Sequence, residues 1–276
     1  MNSKHYKIAG IMCYVLIIVT VTACLSCAGV RSGSNSETRG NNVRIVFLHH
    51  STGRCIWQGG VPRWFARYNS ENNTNYSIEK RAFPEKHPYG WRNYPFDYWN
   101  IWVNNAGEEP FMEEPTLEIL TREFNVVMFK HCFPVSNIRR DTGTPDIASG
   151  EKRTENYKLQ YEALKTKMHE FPQCTFIVWT GAALVENATS DENAIRAREF
   201  FKWVRENWDE KGDNIFIWDF FELETAGGIY MKEEYAKSRR DPHPNRSFSR
   251  TAAPLLCRRI TDVIEGRGDQ SSLTGR

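Results

Sequence analysis

The chain lacks charge imbalance, a cysteine framework and apolar runs of membrane-spanning length. Its formal charge is only +2. It falls to zero without the first 23 residues, which carry Lys4 and Lys7 and no acid. That balance leaves no basic field to argue for nucleic acid. Of seven cysteines, Cys13 and Cys24 belong to the amino-terminal segment. The remaining five, Cys27, Cys55, Cys132, Cys174 and Cys257, are odd in number, so at least one thiol stays free even in an oxidising compartment. Cys24-Leu25-Ser26-Cys27 has redox spacing but stands beside no βαβ unit. No His-Glu-x-x-His or Cys/His ligand spacing accompanies His49, His50 or His131, and adjacent histidines on a strand face opposite ways, so neither a metal site nor a cofactor is expected. There is no internal repeat and no sign of a second core.

The longest apolar run, Ile8–Val21, falls short of the ~20 residues a membrane span needs. Lys4 and Lys7 precede it and the small residues of Val21-Thr22-Ala23-Cys24 follow. The pattern predicts a secretory signal over 1–23, cleaved before a lipidated Cys24. An uncleaved anchor reaching toward Val30 is the alternative, and both readings put the folded part outside the cytoplasm, tethered to a membrane. Residues 24–42, rich in Ser, Gly and Asn from residue 28 onward, are expected to form a flexible tether, residues 43–266 a single domain, and 267–276 a polar, frayed tail.

Within the domain, continuous apolar runs of strand length recur at Val43–Leu48, Phe124–Phe129, Thr175–Trp179 and Asn214–Trp218, with a weaker one at Tyr76–Ile78. Continuous rather than alternating hydrophobicity suits parallel strands covered on both faces. Helical spacing lies between them, at Tyr157, Tyr161, Leu164 and Met168, and again at Ala194, Ala197, Phe201, Val204 and Trp208 after a Thr189-x-x-Glu192 capping signal. A last helix runs from Phe248 to Val263. Such alternation predicts a three-layer α/β/α sandwich on a doubly wound, mostly parallel, flavodoxin-like sheet. An aromatic stretch between 79 and 105 fits a packed helix face or a small local core better than a sugar-stacking groove.

Two segments carry candidate chemistry. Val43–Leu48 runs through His49-His50 into Ser51-Thr52-Gly53, placing a serine at the carboxyl end of a buried strand, where the crevice of an open parallel sheet lies. Asp241-Pro242-His243-Pro244-Asn245 supplies an acid and a base in a loop before the last helix. Serine attacks an ester only when a histidine takes its proton and a third group orients that histidine. Ser51, His243 and Asp241 are the candidates, with Asp219 the alternative acid. After the next long strand, Lys130-His131-Cys132-Phe133-Pro134-Val135-Ser136-Asn137 opens into the same crevice. Asn137 could join the Ser51 N–H in stabilising an oxyanion, and Lys130 and His50 could contact substrate. Each also has a plain structural reading: Ser51 as a helix cap, Asp241 as a turn former, His243 as a stiff loop residue.

The chain resembles the SGNH (GDSL-type) hydrolase superfamily over about Val43–Ile264. In that family the serine follows strand one and an Asp-x-x-His precedes the final helix. Ser51 matches the first block by position and His243-Pro244-Asn245 matches the last. His49-His50 replaces the usual Gly-Asp, residue 240 is Arg rather than Asp, and the middle glycine block has two candidates, Gly90 and Gly107. The resemblance implies a serine esterase cleaving an acyl or acetyl ester, and surface tethering suggests a carbohydrate carrier. An inactive carbohydrate-binding or scaffold lipoprotein and an O-acyltransferase are the rival readings.

Overall fold

The computed structural model describes residues 42–90 and 92–276, so the signal, the Cys24 lipidation site and nearly all of the tether lie outside the described residues. The described residues form one compact unit. Strand β1 (Asn42–His49) and strand β2 (Asn75–Ala82) pair in parallel, flanking helix α1 (Ser51–Gln58) and helix α2 (Val61–Asn72) in sequence. Helix α3 (Pro95–Trp99), a π-helical turn at Asn100–Asn104 and helix α4 (Leu117–Glu123) lead to β3 (Val126–Phe129). Then come α5 (Thr154–His169), β4 (Thr175–Trp179), α6 (Asp191–Trp203), β5 (Ile215–Trp218) and α7 (Phe220–Thr225). A two-stranded antiparallel ribbon, β6 (Ala236–Ser238) and β7 (Asp241–Pro244), precedes α8 (Arg246–Ile264).

The sheet has the order β2-β1-β3-β4-β5 and is parallel throughout, with Ile45 opposite Val126, Phe129 opposite Val178, and Trp179 opposite Trp218. Every residue of β3 and β4 is buried, as continuous apolar runs covered on both faces require. The chain winds from β1 outward to β2 and then back across to β3. Strand order therefore reverses between β1 and β3, and the crevice of a doubly wound sheet opens at their carboxyl ends.

Three expectations change. The capping residue of α6 is Ser190, whose hydroxyl accepts from the Asn193 N–H, one residue after the expected Thr189. Thr189 instead donates to Asn137. The segment holding Asp241 and His243 is the short strand β7 rather than a loop. The tail past Gly266 is docked, not frayed. Its carbonyls at Gly268, Leu273 and Thr274 accept from Arg259 Nη1, the Asp219 N–H and Trp218 Nε1. Backbone acceptors hold it, and side-chain polarity does not report on those. The aromatic stretch is core: Tyr98 and Trp102 are fully buried, and the Tyr98 hydroxyl donates to the Lys130 carbonyl at 2.7 Å. Trp91 of that stretch lies outside the described residues.

Candidate functional site

Ser51 is the first residue of α1, and His50 before it is still extended. The Ser51 N–H is thus one of the unpaired donors at a helix start, where the backbone dipoles favour negative charge. Gly53 lets the helix begin this close to its strand. A Cβ there would lie 2.6 Å from His49 Cβ and 2.8 Å from Phe47 Cζ. The Ser51 hydroxyl is 3.9 Å from Cys132 Sγ, and Lys130 Nζ approaches the same sulfur to 3.2 Å. Ser51, Cys132 and Lys130 therefore meet where the ends of β1 and β3 face each other.

His243 is held from two sides. Its Nδ1 lies 2.5 Å from Asp241 Oδ1, which also accepts its backbone N–H at 3.0 Å. Burial draws the Asp241 carboxyl up, but the two hydrogen bonds from His243 and the nearby imidazole outweigh it and hold the group below its ordinary range. The Phe133 ring meets the imidazole edge to face at 5.0 Å. Behind β7, Asn245 caps α8 by accepting from the Phe248 N–H and donates to the carbonyls of Glu234 and Ala236. One residue thereby locks the helix start to the ribbon that carries the histidine. With Nδ1 engaged by the carboxylate, Nε2 is the nitrogen left to exchange a proton.

Cys132 touches Ser51 and the next residue, Phe133, touches His243, so these two residues bridge the pair. Cys55, one turn along α1, shares a cleft with Pro244 beside the histidine. Among the described residues no hydrogen bond yet joins Ser51 to His243. Asn137 lines the His243 cleft, with Phe133, Lys152 and Arg240. Its Oδ1 accepts from Thr189 Oγ1 at 2.8 Å and Asn193 Nδ2 at 2.7 Å. Both acceptor sites being taken fixes the amide, so that its NH2 is the end free to donate.

The remaining candidates sort by position. Asp219 is 3% exposed and engaged by Thr180 Oγ1, the Glu222 N–H and Arg205 Nη1, and the hydrogen bond of the His243 ring goes to Asp241 instead. His50 lines a cleft of about 230 Å³ with Ser51, and its Nε2 lies 2.7 Å from the Pro84 carbonyl. Burial, then the Lys130 and Arg54 charges, pull its pKa down to about 4. Lys130, expected to contact substrate, is 1% exposed, its ammonium buried against Cys132 Sγ. Gly90 and Gly107 line neither the Ser51 nor the His243 cleft. His131 is buried among the Tyr98, Phe129 and Tyr161 rings. Sequence reasoning gave Cys132 no part beside Ser51; its place, two residues beyond β3 at the strand-order reversal, was the available signal.

Among the described residues no group of His, Cys, Asp and Glu is arranged to hold a metal, and no helix is long and apolar enough to cross a membrane. All four described cysteines are free thiols. No family model matches the chain, and no curated protein matches it. A solved structure of a gut microbial diltiazem-metabolizing enzyme aligns at 12% identity with a TM-score of 0.43, over 83% of this chain and 47% of that one. This chain thus spans about half the length of that protein.

Proposed function

We propose that this chain is a serine hydrolase of the SGNH type, cleaving an acyl or acetyl ester carried on a carbohydrate. The observation that carries the reading is the short contact between His243 Nδ1 and Asp241 Oδ1, in a strand packed beside the helix that begins at Ser51. In this mechanism Ser51 Oγ attacks the ester carbonyl as His243 Nε2 takes its proton. Asp241 keeps the imidazole in the Nδ1–H tautomer and stabilises the imidazolium. The Ser51 N–H and the Asn137 amide receive the developing oxyanion. His243 then returns its proton to the leaving alcohol oxygen. Water, deprotonated by the same nitrogen, releases the acid from the acyl-serine. Approach of Ser51 to His243 requires the serine side chain to leave Cys132 Sγ.

The chain is further proposed to be lipidated at Cys24 and exposed outside the cytoplasm. A fluorophosphonate probe tests the chemistry, because it reacts with serines activated by a base. Labelling of the wild type that vanishes in Ser51→Ala, together with Ser51-dependent release of 4-nitrophenol from its acetate, is the expected result. No labelling between pH 6 and 9 would refute it and leave the binding or scaffold reading.

A further inference from the structure

Although the domain as a whole is nearly neutral, its cations are unevenly placed. Some described basic side chains away from the crevice are matched by carboxylates: Arg44 and Arg81 by Glu123, Lys167 by Glu118 and Glu170, Arg267 by Asp262 and Glu265. Around the proposed site the matching fails. The Ser51 cleft is lined by Arg54 and Lys80 and by no acid. On the other side, the His243 cleft holds Lys152 and Arg240, with Asp241 its one carboxylate, already engaged by the imidazole. Lys152 also borders a third hollow of about 490 Å³, together with Tyr94, Arg92 and Arg139. The one acid there, Glu151, pairs with Arg153. None of these six cations forms an ion pair among the described residues.

Like charges gathered without counter-ions repel one another, and concave surfaces concentrate that field. The neighbouring groups register it. Burial first, and then the Arg139 charge, hold the Lys152 ammonium below its ordinary range. His49 and His50 stay neutral down to about pH 4, through burial and the charges around them. His49 is 6% exposed, and its Nε2 has no partner in a cleft whose only charged groups, Arg54 and Lys80, are cationic. A ligand that brings negative charge relieves the repulsion, and one that spans both clefts passes over Ser51 and His243.

We infer that the substrate is an acyl ester on an acidic glycan, with carboxylate or sulfate groups on both sides of the scissile bond, seated between Arg54 and Lys80 at one end and Lys152, Arg240, Arg92 and Arg139 at the other. This rests on the hydrolase reading for the ester and the carbohydrate, and on the charge distribution for the anions. Nucleic acid shares the charge but offers a serine esterase no acyl group along its length.

Affinity electrophoresis of the full chain through gels containing polygalacturonate, dextran sulfate, neutral dextran or double-stranded DNA tests it. At low salt, polygalacturonate or dextran sulfate should bind at least tenfold more tightly than dextran, and 0.5 M NaCl should abolish the difference. The triple variant Arg54→Gln/Lys152→Gln/Arg240→Gln, with its folding checked by circular dichroism, should lose at least tenfold in affinity. Should it not fold, the single exposed reversal Arg54→Glu should lose at least threefold. Retention by only one of the two acidic polymers supports the inference and names the charged group. Equal retention by dextran, an unaffected charge variant, or DNA bound as tightly as the acidic glycans overturns it. The two readings fail separately: fluorophosphonate labelling without acidic-glycan binding removes only the anion inference, and the reverse outcome removes only the hydrolase.

Discussion

Asparagine at position 241 isolates what the carboxylate does for His243. In the native protein a single oxygen, Oδ1, takes both the backbone N–H of His243 at 3.0 Å and Nδ1 at 2.5 Å. Asn can keep one of these contacts through its carbonyl. It brings no charge to the imidazolium, and its NH2, if turned to the ring, selects the wrong tautomer. A hydrogen bond to a charged group contributes about 1.5–3 kcal/mol. At about 1.4 kcal/mol per decade that is roughly a 10- to 100-fold fall in kcat/KM. The Asp241 side chain is 43% exposed, so screening by water and salt places the result toward the lower half of that range. Asp219→Asn is the matched control. It weakens the Arg205 pair and the contacts to Thr180 and the α7 start, and should cost about 2 kcal/mol of stability with less than threefold change in turnover. Both variants are assayed on 4-nitrophenyl acetate, with the folded fraction equalised by circular dichroism. If Asp219→Asn depresses turnover more than Asp241→Asn, the orienting acid has been misassigned and the part given to Asp241 in the proposed mechanism is wrong.

Two further outcomes follow from buried geometry. His131 is 1% exposed, both ring nitrogens lack partners, and burial followed by the Lys130 charge pushes its pKa down to about 3. Below pH 6.5 the unfolded chain takes up a proton that the folded chain refuses until about pH 3, so stability is lost across that window by up to about 1.4 kcal/mol per pH unit. His131→Phe removes this term and should gain about 1–3 kcal/mol at pH 7. The gain should widen by about 2 kcal/mol at pH 5 in urea titrations; an unchanged gap would show that the imidazole is already protonated or paired. Gly53→Ala forces a methyl against Phe47 and His49 and should cost about 1–3 kcal/mol. By displacing the start of α1 it should also lower Ser51-dependent turnover. Unaltered melting and turnover would mean that α1 shifts on β1 without penalty.

The strands were legible because each is a run of apolar residues covered on both faces, and the period of the intervening helices was equally plain. Ser51 at the end of β1 could be read from the chain, and so could the adjacency of Asp241 and His243, two residues apart on one short strand. What could not be read was set by distant partners. The register of Asn137 depends on Thr189 and Asn193, more than fifty residues away. The tail is fixed by main-chain acceptors. The charge asymmetry of the crevice is invisible in a composition that sums to near zero, because sequence counts acids and bases without saying which of them meet.

The docked carboxyl terminus has a bearing on how the sheet avoids recruiting foreign strands. On the β5 side, Arg259 Nε occupies the Ile217 carbonyl and residues 268–274 lie along Trp218 and Asp219, so that border is closed by the molecule's own chain. The β2 side relies on charge instead, presenting Glu79, Lys80 and Arg81 along the strand. Lys80 is thereby a guard against edge-to-edge stacking as well as a wall of the cleft. A substitution of Lys80 would therefore act on the sheet edge and on the cleft together.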